Sequence, residues 1–107
     1  MKKTDFYVTI YSDDCPLTVK KYNGYDVDAR FYIFNDNKRN NGTVIKNYRN
    51  YKSVDKKTGR TVVRGFETIK ACIEKTIQLY EEHSSFFKSD RYSELVKRFN
   101  NLVREEC

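Results

Sequence analysis

A chain of 107 residues is the size of one ordinary domain, with room for a single hydrophobic core and not for two. Its 21 Lys and Arg against 15 Asp and Glu give a net charge of +6, and nine Tyr and seven Phe without any Trp mean that the core draws heavily on Tyr and Phe. Met1, Lys2 and Lys3 begin like a signal peptide, but no apolar run of signal-core or membrane-spanning length follows. Three cysteines, Cys15, Cys72 and Cys107, are an odd number with no Cys-x-x-Cys spacing, which argues against a disulfide framework and a thiolate zinc site and predicts a reducing, cytoplasmic setting.

Taken in chain order, residues 6–11 alternate strictly. Phe6, Val8 and Ile10 fall on one face and Tyr7, Thr9 and Tyr11 on the other, the pattern of a half-buried strand. Asp13, Asp14 and Pro16 break that strand. Residues 17–21 and 25–34 then read as a hairpin around Asn23-Gly24. A three-residue loop, 22–24, pairs Val19 with Val27 and Leu17 with Ala29, and sets Lys20 opposite Asp26. In that register Val27, Ala29, Phe31 and Ile33 face inward, while Arg30, Tyr32 and Phe34 face out.

Residues 35–42 are polar and turn-forming, and residues 43–54 and 60–64 read as a second hairpin across 55–59. The period then changes to three and four. Phe66, Ile69, Cys72, Ile73, Ile77 and Tyr80 predict an amphipathic helix capped by Thr68 and ending near His83. A second helix begins around Ser89 or Asp90 and carries Tyr92, Leu95, Val96, Phe99, Leu102 and Val103 on one stripe. The expected architecture is α+β, a single domain with about five antiparallel strands in two hairpins, followed by two C-terminal helices packed on the sheet.

The positive charge is local. Residues 36–64 hold Lys38, Arg39, Lys46, Arg49, Lys52, Lys56, Lys57, Arg60 and Arg64 against Asp36 and Asp55, an excess of +7, and the remainder of the chain, with twelve basic and thirteen acidic residues, balances at −1. Tyr48 and Tyr51 lie among these cations, so the segment offers charges for phosphates and rings for stacking. Asn47 and Asn50 add hydrogen-bonding groups. The outward aromatics Tyr7, Tyr11, Tyr32 and Phe34 around Arg30 would make a second candidate surface, for stacked bases, for a protein partner, or for burial beneath the second helix.

The run from Arg60 to Ala71, a strand followed by Gly65-Phe66, a capping Thr and a helix, is similar over about a dozen residues to the arm-binding domains of phage-type integrases. Any strand that turns into a capped helix shares that order, so the likeness does not place the chain in that family.

Catalytic constellations are weakly represented. His83 is the only histidine, and no local signature pairs it with a cysteine; Cys72 sits on an apolar stripe and reads as core. Asp13 and Asp14 with Asp26 and Asp28 are the best set for holding a Mg²⁺ in a nuclease, yet each is also an ordinary turn or cross-strand charge. The sequence therefore predicts a non-enzymatic binding protein without metal or cofactor. Lys38, Arg39, Lys46, Tyr48, Arg49, Tyr51, Lys52, Lys56, Lys57, Arg60 and Arg64 would contact nucleic acid or a nucleic-acid-processing protein. The alternative is a phage or mobile-element inhibitor of a host defence nuclease, like anti-CRISPR proteins, acting by protein-protein contact.

Overall fold

In the computed structural model, which describes residues 2–13, 15–38 and 42–106, five strands form one antiparallel sheet in the order of the chain. They are β1 (Lys2–Ser12), β2 (Cys15–Asp26), β3 (Phe31–Asn35), β4 (Tyr51–Asp55) and β5 (Thr61–Phe66). Two helices follow, α1 (Ile69–Glu82) and α2 (Asp90–Glu106), separated by a 3₁₀ turn at Phe86–Lys88. The helices pack on the sheet, α1 against β3, β4 and β5, and α2 against β2. The expected α+β arrangement is therefore the one found.

The helix boundaries follow local chemistry. Thr68 caps α1 by accepting a hydrogen bond from the Ala71 backbone N–H at 3.1 Å. Ser89 does the same for the start of α2, accepting from the Tyr92 N–H at 3.2 Å. Cys72, Thr76 and Tyr80, spaced by four, form the buried stripe of α1. Thr76 adds polar glue at the centre, its hydroxyl 2.7 Å from Ser53 Oγ and 2.6 Å from the Cys72 carbonyl oxygen.

The first hairpin is not where the Asn-Gly pair suggests. Chain reversal occurs at Ser12 and Cys15, with Asp13 in the left-handed region at φ 49°, and β2 runs straight through Asn23 and Gly24. Val19 faces Thr9 and Lys20 faces Val8, so the expected pairs Val19 with Val27, Leu17 with Ala29 and Lys20 with Asp26 do not form. Two contacts outweigh the turn preference. The Asn23 amide donates to Asp5 Oδ1 at 2.9 Å across the strand pair. At Gly24 a Cβ would lie 2.3 Å from the Ile33 carbonyl oxygen and 2.8 Å from Phe34 Cβ, so glycine is there for close approach of two backbones rather than for a turn. The next reversal falls at residues 27–30, where Asp28 Oδ1 accepts from the Arg30 backbone N–H at 2.9 Å and its carboxylate clasps the guanidinium. Ala29 is exposed there rather than inward.

Residues 43–50 also depart from the expected strand. They form an isolated bridge from Lys38 to Val44 and a turn in which Asn47 has φ 63°. Asparagine side chains replace the ladder: Asn35 Oδ1 accepts from the Asn50 N–H at 2.8 Å, and Asn50 Oδ1 from the Gly65 N–H at 2.9 Å.

The core has two layers, one on each side of β3 and β4. Phe31, Ile33, Val63, Cys72 and Tyr80 join the sheet to α1. Phe6, Val8, Phe34 and Val54 fill the opposite side with Tyr22 and Tyr32 at its margin. This second layer exists because the long β1–β2 hairpin folds back over the sheet. Phe6 stacks on Tyr32 at 4.5 Å, and Thr9 closes the fold by donating its N–H to the Gly59 carbonyl (2.8 Å) and its hydroxyl to the Thr58 carbonyl (2.7 Å). Phe34 is thus buried, not outward-facing, and the expected aromatic surface of Tyr7, Tyr11, Tyr32 and Phe34 is broken up: the other three rings are half-buried.

Candidate nucleic-acid interface

The basic segment divides into cations engaged by the fold and cations left over. Lys52 Nζ is 2.5 Å from Asp36 Oδ2, and Lys56 Nζ is 2.6 Å from Asp26 Oδ1 while lying 4.9 Å from the Tyr32 ring centre. Tyr51 is half-buried against the α1 side of the core. Tyr48 is 48% exposed, and Lys38, Lys46, Arg49, Lys57, Arg60 and Arg64 are exposed without a carboxylate partner among the described residues. Arg39 lies outside the described residues.

These residues do not form one continuous patch. The loop carrying Lys38, Lys46, Tyr48 and Arg49 is at one end of β4, and the turn carrying Lys56, Lys57 and Arg60 is at the other, roughly 17 Å away for a five-residue strand. A groove runs along β5 from Arg60 at the turn, and none of Lys38, Lys46, Tyr48 and Arg49 lines it. It has a volume of about 340 Å³ and is lined by Lys52, Arg60 and Arg64 with Tyr11, Thr9 and Thr61, so strands β1 and β5 form its sides. The Arg60 guanidinium sits 5.7 Å from the Tyr11 ring centre. Burial pushes the Tyr11 hydroxyl upward from its ordinary value, with Arg60 and Arg91 offsetting part of that rise, so the phenol is a neutral donor at physiological pH.

Beside this groove is a cleft of about 410 Å³ between the β4–β5 turn and the α1–α2 connection. Phe86, Phe87 and Tyr92 give it aromatic walls, and Arg60 and His83 stand among its polar groups. The rings brace one another edge to face, with Phe87 and Tyr92 5.2 Å apart and Phe86 and Tyr92 5.8 Å apart. The sequence marks this place only by an adjacent Phe pair between two helices, and composition alone gives no reason to connect it to the basic segment.

Asp55 holds the cleft's floor together. It is 3% exposed and accepts from the Tyr80 hydroxyl (2.5 Å), the Tyr92 hydroxyl (2.8 Å), and both the hydroxyl (2.7 Å) and N–H (3.1 Å) of Thr58. Four donors replace the water a buried carboxylate loses. Burial and the adjacent carboxylate both hold the Tyr80 and Tyr92 hydroxyls well above the ordinary tyrosine value.

The carboxylates considered for Mg²⁺ are not brought together. Asp13 and Asp26 lie at opposite ends of β2, and Asp28 is clasped by Arg30. Asp14 lies outside the described residues, as does Cys107. Among the described residues no group of three or more His, Cys, Asp or Glu is placed to hold a metal ion. Burial pushes the Cys72 thiol up to about 11, which keeps it protonated at neutral pH. No described helix is long and apolar enough to cross a membrane.

Comparison with protein-family models, curated proteins and solved structures gave no match.

Proposed function

We propose that this chain is a non-enzymatic binding protein that grips the phosphate backbone of a nucleic acid along the groove between β1 and β5. The observation that carries the reading is the meeting of Lys52, Arg60 and Arg64 in one groove beside the Tyr11 hydroxyl. Scattered cations are each hydrated and screened separately, whereas the fields of cations gathered around a concave surface add and are focused there, and so attract a polyanion. Lys52 is partly neutralised by Asp36, so Arg60 and Arg64 supply most of the attraction. Lys38, Lys46, Arg49 and Lys57 extend the field at the two ends.

Fluorescence anisotropy with labelled DNA and RNA across a salt series tests this. Three phosphate contacts give a log–log salt slope of about −2 to −3, and reversing Arg60 or Arg64 to Glu flattens it by about one unit each. Affinity indifferent to salt and to both reversals sinks the reading. A protein retained on the immobilised chain after nuclease treatment, with no oligonucleotide bound, favours inhibition of a nucleic-acid-processing protein in its place.

A further inference from the structure

We infer that the nucleic acid is single-stranded and that one unpaired base enters the aromatic cleft walled by Phe86, Phe87 and Tyr92. The inference rests on the phosphate-binding reading of the adjacent groove. Arg60, Thr61 and Val62 line both spaces. A strand whose phosphate is held at Arg60 in the groove therefore presents its next base at the cleft mouth. The cleft, at about 410 Å³, falls within the range of small-ligand sites, and it joins a mostly apolar aromatic wall to a few convergent polar groups.

The lining suits a base better than other planar ligands linked to an anion. Phe86 and Phe87 are partly exposed, so their rings are available for contact with a π face. His83, at the exposed C-terminal cap of α1, and the Thr61 hydroxyl stand at the polar edge of the same space, where they can meet the hydrogen-bonding edge of a base. The Asp55 carboxylate faces the cleft but is occupied by Tyr80, Tyr92 and Thr58, which spreads its charge before a ligand arrives. Bases in a duplex are stacked and paired, and drawing one out costs a few kcal/mol that an unpaired strand does not spend.

The test uses short fluorescent homopolymer oligonucleotides, DNA and RNA, the corresponding duplexes, and single strands containing abasic sites. The full chain is expected to bind single strands at least about tenfold more tightly than duplexes. Phe86→Ala is expected to weaken single-strand binding by about five- to a hundredfold while leaving the salt slope and duplex binding unchanged. Phe86→Leu, which keeps apolar volume without a ring, guards against a folding defect and is expected to show the same loss. Abasic strands, which need no variant, are expected to bind as weakly as duplexes.

Equal affinity for single strands, duplexes and abasic strands, unaffected by either Phe86 variant, overturns the cleft assignment and leaves the groove intact. Absence of binding to every oligonucleotide at low salt overturns both.

Discussion

The Tyr80 hydroxyl donates to Asp55 Oδ1 across 2.5 Å, tying the last turn of α1 to the end of β4 at a point where Tyr92 of α2 also arrives. One buried carboxylate thus joins both helices to the sheet. Removing a single donor leaves the charge less well satisfied, so Tyr80→Phe is expected to lower stability by about 1.5–3 kcal/mol in urea unfolding. Tyr92→Phe is expected to cost a similar amount. Because the two act on the same carboxylate, the double variant will depart from additivity, and strict additivity in a double-mutant cycle contradicts a shared network.

The same cluster sets an alkaline limit. Both hydroxyls have folded values raised above the ordinary 10.0, so their contribution is fully present below pH 10 and is lost as pH rises through the folded values. Unfolding free energy is expected to hold steady to about pH 9 and fall progressively above 10. Replacing both tyrosines by Phe is expected to flatten that fall, measured by urea titrations at a series of alkaline pH values.

Lys56 and Lys57 are neighbours with different work. Lys56 is committed to Asp26 and the Tyr32 ring, whereas Lys57 is exposed with no carboxylate partner among the described residues. Lys56→Ala is expected to lower stability by about 1 kcal/mol. Lys57→Glu is expected to leave the melting temperature unchanged and to reduce the salt dependence of nucleic-acid binding. The reverse pattern contradicts this division.

Gly24→Ala would place a methyl group against the Ile33 carbonyl and the base of Phe34, neither of which is a flexible side-chain tip. A loss of about 3 kcal/mol or more is expected. At Gly42, where an added Cβ meets nothing within 4 Å, Ala is expected to cost only about 1 kcal/mol, from the positive φ. Thermal melts of the two variants side by side provide the comparison.

Thiol chemistry gives a check on the core. In a Cys107→Ser background, exposed Cys15 is expected to react promptly with a chromogenic disulfide reagent, and buried Cys72 only after denaturant is added. Two equally fast thiols contradict the packing of α1.

Where a few neighbouring residues decide the outcome, the sequence is easily read. Thr68 and the stripe from Ile69 to Tyr80 specify α1, and the strict alternation from Phe6 to Tyr11 specifies a strand. Asn23-Gly24 misleads because turn preference is a local quantity of about 1 kcal/mol, and it is opposed by a full strand ladder and the crossing of Gly24 over Ile33. Phe34 misleads for a related reason: alternation shows that it opposes Ile33, but only the folded-back hairpin shows that its side is covered too. At the candidate site, counting charges locates the segment. Which cations remain free depends on Asp26, which lies outside that segment, and the groove's other wall comes from β1, some fifty residues away in the chain.

The Thr9 closure also orders events in time. Its partner Thr58 comes 49 residues later, so at about 5–20 residues per second of synthesis the β1–β2 hairpin exists for several seconds before its seam can shut. Until β4 has been made, Phe6 and Val8 lack Val54, the fully buried member of the layer they complete. The β1–β2 hairpin is thus complete before the layer it covers, and its apolar face stays partly open to other chains until β4 arrives.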